Sequence, residues 1–442
     1  MLRPLAASLL LALLLAPAAS ADWAAFHADA RGTGFLPNSS YPVFEDVWWN
    51  NKTLANAQVH ASPVIKDGIL VTADLGSPRA TPANAGLVRA LDVESGRELW
   101  SHRMAAPVEG TPAIAGERVY VVDTAGNLKA LNLRDGGCEK GCTTPVSVGA
   151  TLSAIREHEG KLFIGTEAGE MKAYLASTLT PLWTFRLASM YRTPVYNADG
   201  DVTSCKDPYP AQPVRGAAAV FAGNVYFGAM NHYVVAVDEE GNGDLTTAAR
   251  WAHKTGDVVL GAPAIAIQGN THRLLIGSYD GNVYSFDPTP DWEPIACPGG
   301  SVPAENPPQW QYEVPSVVNP ATGEAQVSKV ASSPATTGDR LFVGANNGHV
   351  YALDAATGRK VWEQSATGNS LKPVTGSPAV ANGIVVVGSE DTKVYWLSAS
   401  NGTILKTFGT KAAILASPAI DGDRVLVSAT DGTTYMFGPR LP

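Results

Sequence analysis

What most limits the folds open to this chain is a motif it repeats eight times. A small residue, usually followed by Pro, leads into an alternating β-branched run. A Gly-containing turn then precedes a second run ending in Leu-Asp or Phe-Asp. The copies begin at Ala61, Gly110, Leu152, Gly216, Gly261, Ser332, Gly376 and Ala416. They are spaced 40 to 49 residues apart, except where insertions stretch two intervals to 64 and 71. The sixth copy shows the grammar in full: "SSPATTGDRLFVGANNGHVYALDAATGRKVW", Ser332 to Trp362. It predicts a short first strand, a turn, the strand Arg340 to Gly344, a polar turn, a third strand ending "ALD", and a fourth strand ending on Trp. The abundance of glycine (43) and proline (31), with charge at only 17%, suits many short strands joined by tight turns.

Four strands at this period make one propeller blade. The predicted fold is therefore all-β: an eight-bladed β-propeller of four-stranded antiparallel blades, in one domain over residues 22–442. A sandwich would not repeat the same turn chemistry eight times. The eighth copy ends "TDGTTYMFGPRLP" with three strands and no fourth. An open edge there would invite association. The N-terminal "FEDVWWNN", Phe44 to Asn51, offers the missing strand, with Trp48 or Trp49 in the Trp position.

"ALDAATGRKVW" resembles the repeat of the pyrroloquinoline-quinone-type (PQQ-like) β-propellers, with Ala352, Asp354, Thr357, Gly358 and Trp362 at its signature positions. The first copy matches with Ala90, Asp92, Ser95, Gly96 and Trp100. "DWAAFHADARGTGFLP" is similar to the family's lead-in through Trp23, Phe26, Asp29 and Gly32 to Gly34. The resemblance implies that each Trp packs on the turn of a neighbouring blade. Trp183, Trp251 and Trp310 extend the series, whereas the second copy has no Trp and carries Cys138 and Cys142 in its last turn instead. The resemblance specifies fold more than activity, because one fold hosts many functions.

The chain opens Met-Leu-Arg, runs apolar from Leu9 to Ala16 and reaches "APAASADW". This reads as a secretory signal peptide, residues 1–21, cleaved after Ala21. The apolar run is shorter than the roughly 20 residues a membrane span needs. No cysteine follows it, so a lipid-modified N-terminus is not expected. Loss of Arg3 moves the formal net charge from -9 to -10. Mild acidity without clustered Lys and Arg argues against nucleic acid as the partner. A secreted or periplasmic monomer is expected.

Cysteines in an exported protein are expected to be oxidised. Cys138 and Cys142 can bridge within one hairpin. Cys205 and Cys297, in the two large insertions, pair by elimination, provided the insertions do not stay on opposite faces. Two cysteines alone make a poor zinc site, since zinc usually takes four ligands. The enzymatic relatives carry adjacent cysteines and a haem motif; this chain has neither, nor a Gly-x-Ser-x-Gly elbow, a His-Glu-x-x-His motif or a calcium loop. No catalytic, metal or cofactor residue is therefore assigned. The axial channel is expected to be lined by small apolar first-strand residues, and the cations and aromatics to lie apart from it in the insertions. Those insertions hold Tyr191, Arg192, Tyr196, Tyr209, Arg215, Trp292 and Trp310. Long loops on rigid scaffolds tend to carry binding, and Tyr191, Arg192 and Trp292 are the candidate partner contacts. The reading is a non-catalytic exported platform for an envelope protein or small ligand. The alternative is an oxidoreductase acting on alcohols or sugars with pyrroloquinoline quinone and calcium, or another metal.

Overall fold

The computed structural model describes residues 22–37, 47–52, 58–76, 85–241, 249–291, 293–298, 300–318, 323–366 and 372–438. Among these, eight antiparallel sheets follow one another as the blades of a β-propeller, and the only helical element is a single 3-10 turn, Leu187–Ser189. The sixth blade is representative: Ala335–Thr336, Arg340–Gly344, His349–Asp354 and Lys360–Ser365, paired in chain order. Its inner strands are apolar on both faces because each face meets a different blade. Phe342, Val350 and Ala352 pack towards blade seven, on Val380, Val385 and Tyr395. Leu341, Tyr351 and Leu353 pack towards blade five, on Leu275, Val283 and Val314. The period-2 alternation of a strand thus divides its side chains between two seams.

The ring closes as the repeat demands. Val47–Lys52 pairs antiparallel with Thr433–Phe437 and completes blade eight. Trp49, rather than Trp48, takes the Trp position: its indole N–H donates to the Val93 carbonyl at 2.8 Å.

The Trp of one blade sits on the third turn of the next. The indole N–H of Trp100 donates to Leu133, that of Trp183 to Glu239, and that of Trp362 to Ala399. Four of these turns need glycine: a Cβ at Gly402 would come within 2.6 Å of Trp362, and Gly96, Gly136 and Gly358 lie as close under Trp49, Trp100 and Trp310, whereas Trp251 sits on a turn of blade five that has Asp291 at this position. Where the Trp is missing, the glycine goes too. Lys140 occupies the Trp position of blade two, opposite Ala130, and blade three places buried Leu179 at the glycine position with φ +62°. In blade seven Lys406 takes the Trp position opposite Trp396, the third-strand site that holds Ala352 in blade six. The buried Trp396 ring instead fills the seam from inside, edge-on to Phe437 at 5.0 Å.

This pairing separates two costs of a glycine substitution. Gly402→Ala forces both a left-handed residue and a clash with Trp362, and should cost about 3 kcal/mol or more in urea unfolding. Gly383→Ala has the same positive φ of +76° but nothing within 4 Å of the new carbon, so about 1 kcal/mol is expected. Equal losses would mean that the Trp–Gly contact adds nothing.

The segment before the ring is structural. Residues 22–36 cross the end of the axial channel and hydrogen-bond successive first strands. Trp23 exchanges two bonds with Ile65 of blade one, and Ala24 O accepts from Ile114 of blade two. Ala30 O accepts from Val220, Arg31 O from Ile265, Thr33 O from Thr336 and Gly34 O from Val380, in blades four to seven. Blade three joins through a side chain, the guanidinium of Arg156 donating to Asp29 O and to Ala218 O. Phe26 seals the channel floor against Ala154, Ala217 and Ala262.

Candidate functional site

The plug leaves the channel closed at one end and funnel-shaped at the other. The funnel encloses about 390 Å³ and is built from two columns of the repeat. The deeper ring is Ser62, Thr111, Ala154, Ala217, Ala262, Ser333, Ser377 and Ser417. Its hydroxyls are structural: Ser333 N donates to Ser377 Oγ, Ser377 N to Ser417 Oγ, Ser417 N to Ser62 Oγ, and Ser62 N to Thr111 Oγ1, at 2.9 to 3.0 Å. With Ala262 N donating to Ser333 Oγ at 2.8 Å, the relay runs from blade five through blade eight and blade one to blade two, and it stops at the alanines of blades three and four. The expectation of a small apolar lining is corrected here, because hydroxyls at the strand starts knit the inner seam.

The mouth ring, two positions earlier in each repeat, includes His60, Glu109, Leu152, Arg215 and Leu260. Glu109 lies 3.7 Å from His60. Arg215 makes a two-pronged pair with Glu167 at 2.9 and 2.7 Å, and that carboxylate holds the guanidinium pKa above its ordinary value. Tyr279 also lines the funnel, with the Lys329 ammonium 4.9 Å over its ring, and burial raises its phenol pKa. The cations and aromatics are therefore not all set apart from the shared cavity, as the sequence suggested. The mouth column was readable as residues that vary beside an unvarying small residue, but only once the repeats are stacked in register.

The two large insertions meet. One follows blade three and forms the hairpin Tyr191–Tyr196 with Val202–Pro208. The other leaves blade five between its third and fourth strands and forms Ile295–Cys297 with Gly300–Val302. It then lays Ala304–Glu305 parallel to Trp251 and Ala252, the outer strand of blade four. A Cys205–Cys297 bridge, Cα atoms 6.0 Å apart, joins the two. The insertions meet beside the outer strand of blade four, where Met190 also bridges Ser301, and this is how distant cysteines come together.

On this lobe Tyr191 is half-buried against Gly300, and Arg192 lies 5.1 Å over the Tyr209 ring. Tyr209 stands edge-on to Tyr233 at 4.5 Å, and burial pushes its phenol pKa up. Tyr196 is 53% exposed. The structure thus brings Tyr191 and Arg192 onto one hairpin. Trp292 lies outside the described residues. Cys138 and Cys142 are also bridged, with Cα atoms 6.3 Å apart. Cys138 is not in the turn but opens the outer strand of blade two, Cys138–Lys140.

Fold and repeat together define the class, an eight-bladed β-propeller, and its repeat is similar to that of the PQQ-like propellers. A family model described as "Outer membrane protein assembly factor BamB" matches residues 45–138 and 347–439, the ring closure with blades one and two and then blades six to eight. The chain is 24% identical to BamB of Yersinia pestis over 80% of both chains. It is 23% identical to BamB of Escherichia coli, over 86% of this chain and 85% of the relative. A quinohemoprotein alcohol dehydrogenase of Pseudomonas putida is 35% identical, but over 82 residues, 18% of this chain and 12% of its own length. Among solved structures, BamB from Moraxella catarrhalis superposes with a TM-score of 0.57 at 15% identity, covering 89% of this chain and 99% of that one. Quinohemoprotein alcohol dehydrogenase from Comamonas testosteroni gives 0.67 at 16%, covering 96% and 82%. At such identities both superpositions establish the fold alone.

Proposed function

We propose that this chain is an exported, non-catalytic propeller that serves as a protein-binding platform in the cell envelope, in the assembly of outer-membrane proteins. The observation that carries this reading is the reach of the sequence similarity. It spans about four fifths of the chain with BamB proteins and only 82 residues with the dehydrogenase. Residues 1–21 act as the leader and place the mature monomer in the periplasm. No helix among the described residues is long and apolar enough to cross a membrane.

The funnel supports the same reading by its donor set. A quinone–calcium site needs convergent carboxylate and amide oxygens for the cation and free cations for the quinone carboxylates. Among the described residues lining the funnel there is one carboxylate, Glu109, and no Asn, Gln or Asp. Its Arg215 is already paired with Glu167. The residues present do not fit that cofactor.

The partner surface is the disulfide-joined lobe, with Tyr191, Arg192 and Trp292 as anchors. Aromatic and Arg side chains are the usual interface hot spots. Tyr191→Ala with Arg192→Ala should lower crosslinked capture of an envelope protein at least about tenfold, while thermal unfolding stays near that of the parent. Capture unchanged in the double variant overturns the lobe as the surface. Stoichiometric quinone binding in the presence of calcium, with dye-linked alcohol oxidation, overturns the platform itself.

A further inference from the structure

Blade two departs from its siblings in one place, and the departure brings three soft or borderline metal ligands together. Its outer strand has lost the Trp. After Lys140, which faces Ala130, the chain bulges away and rejoins the sheet at Val146, opposite Leu128. Gly141 makes the bulge possible: it has φ +79°, and a Cβ there would lie 2.2 Å from the Leu128 carbonyl oxygen. The bulge turns Cys142 back towards Cys138 and towards His102, on the outer strand of blade one. The two sulfurs and a ring nitrogen of His102 all lie within 4.8 Å of one another. Sequence spacing could not supply this third ligand, which comes from another blade.

We infer that the reduced Cys138–Cys142 pair, with His102, forms a binding site for one soft monovalent metal ion of the copper(I) type, which the disulfide state closes. Thiolates select soft ions, and copper(I) is content with few ligands, whereas a structural zinc site wants four. The charges favour the same ion. Two thiolates around one monovalent cation leave a net charge of -1, and the Lys129 ammonium, which here hydrogen-bonds His102 Nε2 at 3.2 Å, is near enough to offset it once it gives up that nitrogen to the metal.

The switch is chemically simple. A dithiol reductant gives two electrons and two protons, opening the S–S bond to two thiols. Metal binding then releases those two protons as both sulfurs become thiolates. Of the two bridges this one should open first. It closes a loop between residues only 4 apart, against 92 for Cys205–Cys297, so it gains least from chain entropy, and Cys142 is exposed.

The test uses the full mature protein, reduced with a phosphine, desalted without oxygen and titrated with copper(I) against a chromophoric chelator. One equivalent should bind to reduced protein and none to the oxidised form. His102→Ala should weaken binding at least about tenfold, and Cys138→Ser with Cys142→Ser should abolish it. Cys205→Ser with Cys297→Ser should retain it, and thermal unfolding of each variant confirms the fold. Binding as tight in His102→Ala as in the parent, or equal binding in the Cys138→Ser, Cys142→Ser protein, overturns the site. Preference for zinc over copper(I) in direct competition overturns the assigned metal.

Discussion

A mature chain that begins at residue 53 is expected to lose at least about 10 °C of thermal stability and to self-associate. Two losses combine. Without Val47–Lys52, the strand Thr433–Phe437 becomes a bare edge and the ring of Trp49 leaves the turn at Gly96. Without residues 22–36, Trp23 and Leu36 no longer pack into the core beside blades one, seven and eight. Burying a large apolar side chain contributes about 1.5–3 kcal/mol, and each backbone hydrogen bond across the plug about 1 kcal/mol. Their sum approaches the whole stability of an ordinary domain. A shorter deletion, residues 22–36 alone, separates the effects: the ring stays closed, so melting falls while sedimentation still reports a monomer. Unchanged melting in the longer truncation, with a clean monomer, would remove the N-terminus from the account of closure.

Why the ring was legible, and the site less so, follows from what repetition records. Each strand answers to two seams that recur eight times, so the alternation in "RLFVG" and "VYALD" is written many times over. The missing fourth strand could be counted directly. Exchange between neighbours is harder to read. Nothing in "YLASTLTPLW" says that Leu179 replaces a glycine, until Lys140 is seen where a Trp would have pressed on it. The funnel was misread because Ser and Thr at strand starts look like mere turn residues, whereas their hydroxyls accept backbone N–H groups of the preceding blade. The lobe was half legible. Composition marked Tyr191 and Arg192, but only the parallel run of Ala304–Glu305 along blade four explains how Cys297 reaches Cys205.

The plug also makes stability depend on pH through one residue. His27 is 1% exposed, stacks on Phe26 at 4.6 Å and has Nδ1 3.3 Å from the Gly32 carbonyl. Burial is the largest influence and lowers its pKa to about 3; the Gly32 hydrogen bond works the other way, and the positive charge of Arg156 lowers it further. Arg156 is itself fully buried, at a first-strand site where blade two has Ala113, and burial brings its own pKa down to about 10, so it stays cationic across the acid range. In the unfolded chain His27 should titrate near 6.5. The folded pKa is the lower one, so the unfolded state takes up the proton first as pH falls. The neutral-histidine contribution is thus complete above about pH 6.5 and drains away down to about pH 3, at up to about 1.4 kcal/mol per pH unit. His27→Asn keeps a neutral polar side chain and tolerates the left-handed φ of +56° at this position. Urea unfolding at pH 7, 5.5 and 4 should therefore show the parent losing about 3 kcal/mol more than the variant between pH 6.5 and 4, even if the variant starts less stable at pH 7. Parallel losses in the two proteins would show that the carboxylates, not His27, govern acid unfolding.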